Sequence, residues 1–138
     1  MPLSDYVITS GIPGQEEFRA LRVAAGLSPK TQAAAEAGLP NTVFAVMIRH
    51  ENQLIGMGRI IGDGGMAFQI TDIAVRPEHQ GRGLGKAIVG RLVAYLRENA
   101  PKSAYVSLIA DGAAQHLYAK FGFEPVTPEA IGMAFRVE

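Results

Sequence analysis

A glycine-rich segment that runs directly into an apolar, helix-like stretch constrains the chain most strongly. Residues 80–89 read QGRGLGKAIV, with glycine at positions 81, 83 and 85 and with Arg82 and Lys86 beside them. Glycine lets a backbone approach a ligand closely and turn successive N–H groups toward it. The N-terminal end of a helix stabilises a nearby negative charge by about 0.3–1 kcal/mol at an exposed site. The segment therefore predicts an anion site, and the alternative is a turn that only connects a strand to a helix.

Two common nucleotide-binding patterns do not fit this segment. A P-loop needs four residues between its first glycine and its Gly-Lys pair, followed by serine or threonine. Here three residues separate Gly81 from Gly85, and Ala87 follows Lys86. A dinucleotide fingerprint would need its third glycine at the position of Lys86 and an acidic residue about 20 positions further on, and the chain has neither. A pyrophosphate site without a metal ion remains.

Apolar periodicity and turn-forming residues predict a mixed α/β fold in the order β-α-α-β-β-β-α-β-α-β-β. Glu51-Asn52 and Asp63-Gly64-Gly65 predict tight turns, so the three middle strands should form an antiparallel meander. Strands are expected at residues 4–9, 42–50, 53–61, 66–75 and 104–110, with two short strands in the tail segments FEPV and IGMAFRV. Helices are expected at residues 14–25, from Ser28-Pro29 to about Gly38, and at 83–98 and 112–121.

Composition and charge narrow the class of protein. A chain of 138 residues with 48% hydrophobic residues fits one globular domain over residues 1–138. Lysine plus arginine balances aspartate plus glutamate at 13 each, which argues against nucleic acid as the main partner. The absence of cysteine excludes disulfides, thiolate metal sites and a cysteine nucleophile.

The sequence shows no pattern typical of a metal site or a membrane segment. No two of the three histidines are spaced as metal ligands. No apolar run approaches the ~20 residues that span a bilayer, and the N-terminal residues lack the pattern of a signal peptide. We therefore expect no metal, no membrane association and a cytoplasmic location.

Two segments carry a resemblance to a known family. The segment DIAVRPEHQGRGLGKAIV resembles the acetyl-CoA-binding motif of the GNAT superfamily of N-acetyltransferases, whose Q/R-x-x-G-x-G/A signature is matched by Gln80, Gly83 and Gly85. The later segment LYAKFGFE is similar to a second motif of that family, in which a tyrosine precedes a terminal Gly-Phe pair. The resemblance is specific over about residues 70–90 and 110–124, and the predicted order of elements agrees with it.

The resemblance implies a fold and a binding mode for acetyl-CoA. In such folds the fourth and fifth strands splay apart, and the strand before the loop carries a bulge. The pantetheine arm would pair with the backbone of Ile73, Ala74 and Val75, which could also be core strand residues. The residues implied to hold the pyrophosphate are Gln80, Gly81, Arg82, Gly83, Leu84, Gly85 and Lys86.

The resemblance also implies a reaction, in which a primary amine attacks the thioester carbonyl directly. A backbone N–H at Val75 would stabilise the oxyanion, and Tyr118 would donate to the leaving thiolate. A thiol has a pKa near 8.5 and tyrosine near 10, so full proton transfer from Tyr118 is uphill by roughly 2 kcal/mol and a hydrogen bond is easier to defend. Asp72 is a candidate for the general base, although it could instead cap a turn or pair with Arg76. Asp111 is expected to cap the last helix.

The acceptor is specified least. The first two helices, the middle strands and the tail would line its site. The candidate lining residues are mostly apolar with few charges, which favours a small-molecule amine. A non-catalytic acyl-CoA-binding sensor or regulatory module is the alternative function, a structural interaction domain is a third, and a homodimer is possible. The candidate lining residues are Phe44, Arg59, Phe68, Gln69 and Met133.

Overall fold

The structure, a computed structural model, describes residues 5–138. The start of the first predicted strand, at residue 4, lies outside the described residues. The strands are β1 (Val7–Ser10), β2 (Phe44–His50), β3 (Gln53–Gly62), β4 (Ala67–Val75) and β5 (Tyr105–Ser107). The helices are α1 (Gln15–Ala24), α2 (Gln32–Gly38), α3 (Leu84–Asn99) and α4 (Gln115–Ala119). Short 3-10 turns lie at Leu39–Asn41, Pro77–His79 and Gly112–Ala114.

The chain divides into two compact units, one ending at Leu108 and the other comprising Ile109–Glu138. The first unit contains a five-stranded sheet in the order β1-β2-β3-β4-β5. The first four strands are antiparallel neighbours, and β5 lies parallel to β4. The predicted mixed α/β class and the predicted antiparallel meander are therefore confirmed.

The sheet of the first unit carries helices on both faces. Met57 of β3 is fully buried in a cluster with Phe18 and Leu21 of α1. The next residue, Gly58, faces Ile88 and Leu92 of α3. Because successive strand residues point to opposite faces, α1 and α3 cover opposite faces of the sheet.

Helix α3 is held mainly by its apolar stripe. Its six buried side chains contribute roughly 1.5–3 kcal/mol each relative to exposure, and they are Leu84, Ile88, Val89, Leu92, Val93 and Leu96. The sequence expectation of residues 83–98 is close to the observed span. Among residues 5–138, neither α3 nor any other helix has the length and apolar character that a bilayer crossing requires.

The predicted start of α2 at Ser28-Pro29 is wrong, because the helix begins at Gln32. The Oγ1 atom of Thr31 accepts a hydrogen bond from the backbone N–H of Ala34 at 3.1 Å, which caps the helix there. The carbonyl oxygen of Ser28 accepts from Nε of Arg22 at 2.9 Å instead. The start of α2 is thus set by the Thr31 cap, and Ser28 lies in the preceding loop in contact with Arg22 of α1.

The two strands predicted in the tail are also wrong. Within the second unit, residues 123–138 form turns and irregular structure rather than strands. A strand needs a paired neighbour for its backbone groups, which the alternating apolar pattern alone does not supply. The apolar side chains of that pattern are 71–90% exposed, and they are Ile131, Met133, Phe135 and Val137.

Candidate active site

A β-bulge interrupts the pairing between β3 and β4. Met57 lies opposite Ala74 and Arg59 lies opposite Thr71, so Gly58 faces two residues, Asp72 and Ile73. Asp72 has a φ of 58°, in the left-handed region that few non-glycine residues adopt. A bulge bends the strand and leaves an extra residue outside the ladder. The bulge therefore begins directly before the segment Ile73–Val75 that the family resemblance singled out.

The pairing between β4 and β5 ends before the bulge in β4. Their parallel pairing covers Ala67–Gln69 of β4 and Tyr105–Ser107 of β5, and within the described chain it ends there. The edge of β4 from Ile70 to Val75 consequently faces no paired β5 residue. A ligand with amide groups could pair with such an edge as an added strand. The splayed strands expected from the resemblance stay a prediction, and the early end of the pairing is consistent with them.

The loop after β4 is tied back to the strand by Gln80. Its side-chain Nε2 donates a hydrogen bond to the backbone carbonyl of Val75 at 2.9 Å. Before this contact, Pro77–His79 forms a 3-10 turn in which the N–H of His79 donates to the carbonyl of Arg76 at 2.9 Å. Gln80 thus has a local structural role, whether or not it also contacts a ligand.

Two glycines then shape the approach to α3. Gly81 and Gly83 have φ values of 78° and 80°, which a glycine adopts without strain. A Cβ built on either residue would meet no heavy atom within 4 Å, so the space beside them is open. Glycine is therefore favoured at positions 81 and 83 by the left-handed backbone conformation, and not because a side chain there would clash with a neighbour.

The first turn of α3 presents unpaired donors beside this open space. The first intrahelical bond runs from the N–H of Ala87 to the carbonyl of Gly83 at 3.1 Å. Amides before Ala87 have no carbonyl within the helix to bind, as in any helix N-terminus. Together with the partial positive charge of the helix end, they form a place where an anion is stabilised. The helix residues concerned are Leu84, Gly85 and Lys86.

Asp72 lies in a buried ion cluster on the α1 face of the sheet. Arg22 of α1 donates to its Oδ1, and Nη1 of Arg59 donates to its Oδ2 at 2.6 Å. The side chain of Asp72 is 7% exposed. The alternative pairing of Asp72 with Arg76 is wrong, because Nε of Arg76 donates to the carbonyl of Leu54 at 3.2 Å. A carboxylate with both oxygens engaged is poorly arranged to accept a proton, so its predicted role as the base gains no support.

Tyr118 lies in the second unit, on α4. Its side chain is 8% exposed, and its ring lies edge-on to that of Phe123, with centroids 6.2 Å apart. Burial raises the pKa of Tyr118 above its ordinary value, and the negative charge of Asp111 raises it further. Asp111 occupies the cap position of the 3-10 turn before α4, yet its side chain makes no capping hydrogen bond there. Asp111 therefore occupies the predicted cap position, where its backbone carbonyl accepts from the N–H of Ala114 at 3.1 Å, but the predicted side-chain cap is absent.

The predicted acceptor-lining residues mostly have packing partners. Phe44 stacks on Tyr95 of α3 with ring centroids 4.2 Å apart, Arg59 belongs to the ion cluster, and Phe68 is buried. Gln69 pairs across both neighbouring strands, and Met133 in the second unit is 87% exposed. The catalytic and binding roles assigned to individual residues from the sequence stay predictions.

A surface groove of about 670 Å³ lies in the first unit, and sequence reasoning missed it. One of its walls is Glu17, whose two carboxylate oxygens accept from Arg49 at 2.9 and 2.8 Å. The hydrogen bond from Arg49 lowers the pKa of Glu17. The lining comes from the start of α1, the turn between β2 and β3, and the end of β4: Gly14, Glu16, Glu17, Ala20, Glu51, Asn52, Gln53, Leu54 and Arg76.

Two histidines that look isolated in the sequence meet in the structure. The rings of His50 and His79 lie 5.0 Å apart between centroids, and the hydroxyl of Tyr6 hydrogen-bonds to Nδ1 of His79 at 2.7 Å. Histidine, cysteine, aspartate and glutamate side chains of residues 5–138 form no group of three or more that could hold a metal ion. These contacts join the segment just before Gln80 to the end of β2 and to the residue before β1.

The sequence also matches curated acetyltransferases over part of their length. It is 41% identical over 83 residues to GCN5-related N-acetyltransferase 2, chloroplastic, of Arabidopsis thaliana. The aligned residues make up 60% of this chain and 31% of that protein. It is 38% identical over 82 residues to Serotonin N-acetyltransferase 2, chloroplastic, of Oryza sativa subsp. japonica, which covers 59% of this chain and 40% of that protein. The matched regions span less than half the length of these relatives.

Comparison of the whole chain gives the same family. A solved structure from meticillin-resistant Staphylococcus aureus, described as a protein of unknown function and "Probable Acetyltransferase", is 48% identical with a TM-score of 0.91. That alignment covers 96% of this chain and 99% of the other. Residues 15–123 match the family described as "Acetyltransferase (GNAT) family". With a matching fold, a bulged β4 and a glycine-rich entry to α3, the chain belongs to the GNAT family of acetyltransferases.

Proposed function

We propose that the protein is an acetyl-CoA-dependent N-acetyltransferase that acetylates a primary amine of a small molecule. One observation carries the proposal: the open edge of β4 after the bulge leads directly into the loop of Gly81 and Gly83 and the first turn of α3. The edge offers backbone groups to the amides of a pantetheine arm, and the loop offers N–H groups to a diphosphate. Both features lie in the first unit, along one continuous stretch of chain.

The reaction follows from the chemistry of a thioester and an amine. The amine nitrogen attacks the acetyl carbon, a C–N bond forms, and the C–S bond to coenzyme A breaks. A free alkylamine has a pKa of about 10.4, so it is protonated at neutral pH and cannot attack in that form. The amine must therefore lose a proton to a base or to water. A backbone N–H near Val75 stabilises the carbonyl oxygen as it becomes negative. Tyr118 donates a hydrogen bond to the departing thiolate.

The choice of acceptor rests on narrower grounds. The chain has no net charge, which gives no general attraction to polyanionic or strongly cationic macromolecules. A relative in rice is named for serotonin, a small amine. We therefore put small primary amines first and a peptide with a free N-terminus second.

The decisive experiment measures acetyl-CoA binding and turnover separately. Calorimetry with acetyl-CoA tests the site, and release of free thiol across a panel of small amines, a peptide and an alcohol tests the reaction. We expect micromolar binding and thiol release with at least one small amine. Binding without turnover for any acceptor would favour the sensor or regulatory module, and no binding of acetyl-CoA would contradict the proposal.

Location and assembly belong to the same proposal. We propose a cytoplasmic enzyme that could act as a homodimer. Light scattering coupled to gel filtration measures the oligomeric state directly, and fractionation of the source cells measures the location. A monomer of 14.7 kDa at all concentrations would contradict self-association.

A further inference from the structure

We propose that Asp72, Arg22 and Arg59 form a positioning cluster that holds the β4 bulge in the shape that binds acetyl-CoA. This inference rests on the proposed function and adds a role for three residues that do not touch the reacting atoms. It replaces a proton-transfer role for Asp72 with a conformational one.

The backbone of Asp72 is the first part of the argument. Its φ of 58° coincides with the register shift at which Gly58 faces two residues of β4. Aspartate adopts a positive φ more readily than most residues with a side chain, and contacts around it favour that conformation over the extended one of a regular strand. The direction of Ile73–Val75 depends on this turn of the chain, because those residues follow it immediately.

The side chain of Asp72 supplies these contacts. Each of its carboxylate oxygens is bound by a different guanidinium group, one from α1 and one from β3. The side chains of Asp72, Arg22 and Arg59 are 7%, 8% and 11% exposed. Removing one partner of a buried charged cluster is destabilising because it leaves the other charges uncompensated. Each of the three residues therefore helps to hold the other two in place.

Each arginine is itself fixed by other contacts. Nε of Arg22 donates to the carbonyl of Ser28 at 2.9 Å, and its Nη2 donates to the hydroxyl of Ser28 at 3.1 Å. Nε of Arg59 donates to the hydroxyl of Thr42 at 3.0 Å. The guanidinium of Arg59 also lies over the ring of Phe18, 5.6 Å from its centroid. The cluster therefore connects the bulge to α1 and to the segments before α2 and β2.

The opposite face of the sheet fixes the same bulge by packing. A Cβ on Gly58 would lie 2.6 Å from Cδ1 of Ile73 and 2.6 Å from Cγ2 of Ile88. The side chain of Ile73 thus fills the space that the missing Cβ leaves beneath α3. The bulge is held by ion pairs on the α1 face and by close apolar packing on the α3 face.

The test uses two substitutions of Asp72 that keep its backbone conformation accessible. Asparagine and glycine both tolerate a positive φ, yet neither supplies a carboxylate to two arginines. For Asp72→Asn and Asp72→Gly we expect the Kd of acetyl-CoA to rise about tenfold or more, with a smaller change in kcat at saturating acetyl-CoA. The pH profile of kcat should keep its acidic limb, because the group that accepts the amine proton is still present.

The control is Asp63→Asn, the same chemical change in the turn between β3 and β4. The Oδ1 atom of Asp63 accepts backbone hydrogen bonds from Gly65 and Met66, both at 2.8 Å, and it is not part of the cluster. We expect this variant to bind acetyl-CoA as the wild type does. Arg59→Lys, which keeps the charge but loses the forked geometry, should give an intermediate Kd.

Hydrogen exchange gives a readout that is independent of catalysis. The amides of Ile73–Val75 should exchange faster in Asp72→Asn than in the wild type or in Asp63→Asn. If Asp72→Asn does not fold, Arg59→Lys carries the same comparison.

Three results would overturn the inference. They are a wild-type Kd in both Asp72 variants, unchanged exchange at Ile73–Val75, or loss of the acidic limb of kcat with Kd unchanged, which would restore Asp72 as the base. A wild-type protein that binds no acetyl-CoA would instead contradict the proposed function.

Discussion

Tyr118 keeps its proton more firmly than an exposed tyrosine. Burial and the nearby Asp111 carboxylate both raise its pKa, whereas thiolate protonation would require an acid with a pKa nearer 8.5. Complete proton transfer is therefore even less favourable than the sequence alone suggested. A hydrogen bond from the neutral hydroxyl to a thiolate remains chemically sound, since bonds to charged groups contribute about 1.5–3 kcal/mol.

We expect Tyr118→Phe to lower kcat by roughly tenfold to one hundredfold, the rate equivalent of one such hydrogen bond. The KM for acetyl-CoA should change less. Because its pKa is raised above the ordinary value near 10, the wild-type tyrosine should stay neutral through pH 9, and kcat should show no loss from its ionisation in that range. Steady-state kinetics from pH 6 to 10 measure this, with Tyr95→Phe on α3 as the control. Equal kcat values at every pH would refute a catalytic role for Tyr118.

At the scale of an element, the loop between β4 and α3 depends on two left-handed glycines. Gly83 and Gly64 make a matched pair, with φ values of 80° and 84° and open space beside both. Alanine at either position should destabilise the fold by roughly 1–2 kcal/mol, because its Cβ disfavours the left-handed conformation. The two positions differ in place, since Gly83 caps α3 and Gly64 lies in the turn between β3 and β4.

We predict that Gly83→Ala and Gly64→Ala lower the Tm by similar amounts, several degrees each. Only Gly83→Ala should raise the KM for acetyl-CoA, because only that loop faces the proposed diphosphate. Thermal denaturation of both variants measures the Tm, and initial rates at increasing acetyl-CoA concentration measure the KM. A similar rise in KM for both would show that the effect is general destabilisation.

The contact between α3 and the bulged sheet depends on a different glycine. Gly58 permits close approach, since its missing Cβ leaves room for Ile73, Ile88 and Leu92. An added methyl group in such packing costs typically about 1–3 kcal/mol. Gly38 at the end of α2 has open space instead.

We expect Gly58→Ala to lower the free energy of unfolding by about 1–3 kcal/mol. By contrast, Gly38→Ala should be neutral or stabilising by up to about 1 kcal/mol, since alanine favours a helix over glycine. Urea denaturation at pH 7 measures both values. A wild-type stability for Gly58→Ala would mean that α3 can shift away from the sheet without cost.

At the scale of the whole molecule, acid should destabilise the fold through specific carboxylates. The hydrogen bond from Arg49 lowers the pKa of Glu17, and backbone N–H donors, first that of Gly65, lower the pKa of Asp63. A carboxylate with a depressed folded-state pKa contributes stability above its unfolded pKa and loses it as the pH falls through the folded value. The unfolded values are about 4.3 for glutamate and 3.9 for aspartate.

We predict a falling Tm between about pH 5 and pH 2. Glu17→Gln and Asp63→Asn should each reduce that fall, because the replaced side chain no longer titrates. The effect for Glu17 should weaken in high salt, since its pair with Arg49 is about one-third exposed. Differential scanning calorimetry across this pH range measures the Tm of each variant. If the Tm of every variant falls with pH as the wild type does, these carboxylates do not cause the loss of stability.

Much of the molecule follows from features that are local in the sequence. The middle strands appear within two residues of their expected ends, because the turn residues Asn52 and Gly64 adopt the positive φ that asparagine and glycine permit. The loop at Gly81 and Gly83 follows for the same reason, and the amphipathic stripe places α3. The matched motifs and this order of elements were sufficient to predict the GNAT family and its fold.

Only the tertiary structure decided which distant residues meet. Arg22 and Asp72 are 50 residues apart and Tyr6 and His79 are 73 apart, and no local pattern brings either pair together. The same limit explains the missing tail strands, which lack paired neighbours. The start of α2 is by contrast a local feature, because the side chain of Thr31 caps the helix three residues before Ala34. Turn geometry and helix periodicity depend on neighbouring residues, whereas ion clusters and strand pairing depend on the packing of the completed fold. The sequence by itself therefore determined the loop and its family, and the tertiary structure decided that Asp72 is a clamped residue of the bulge.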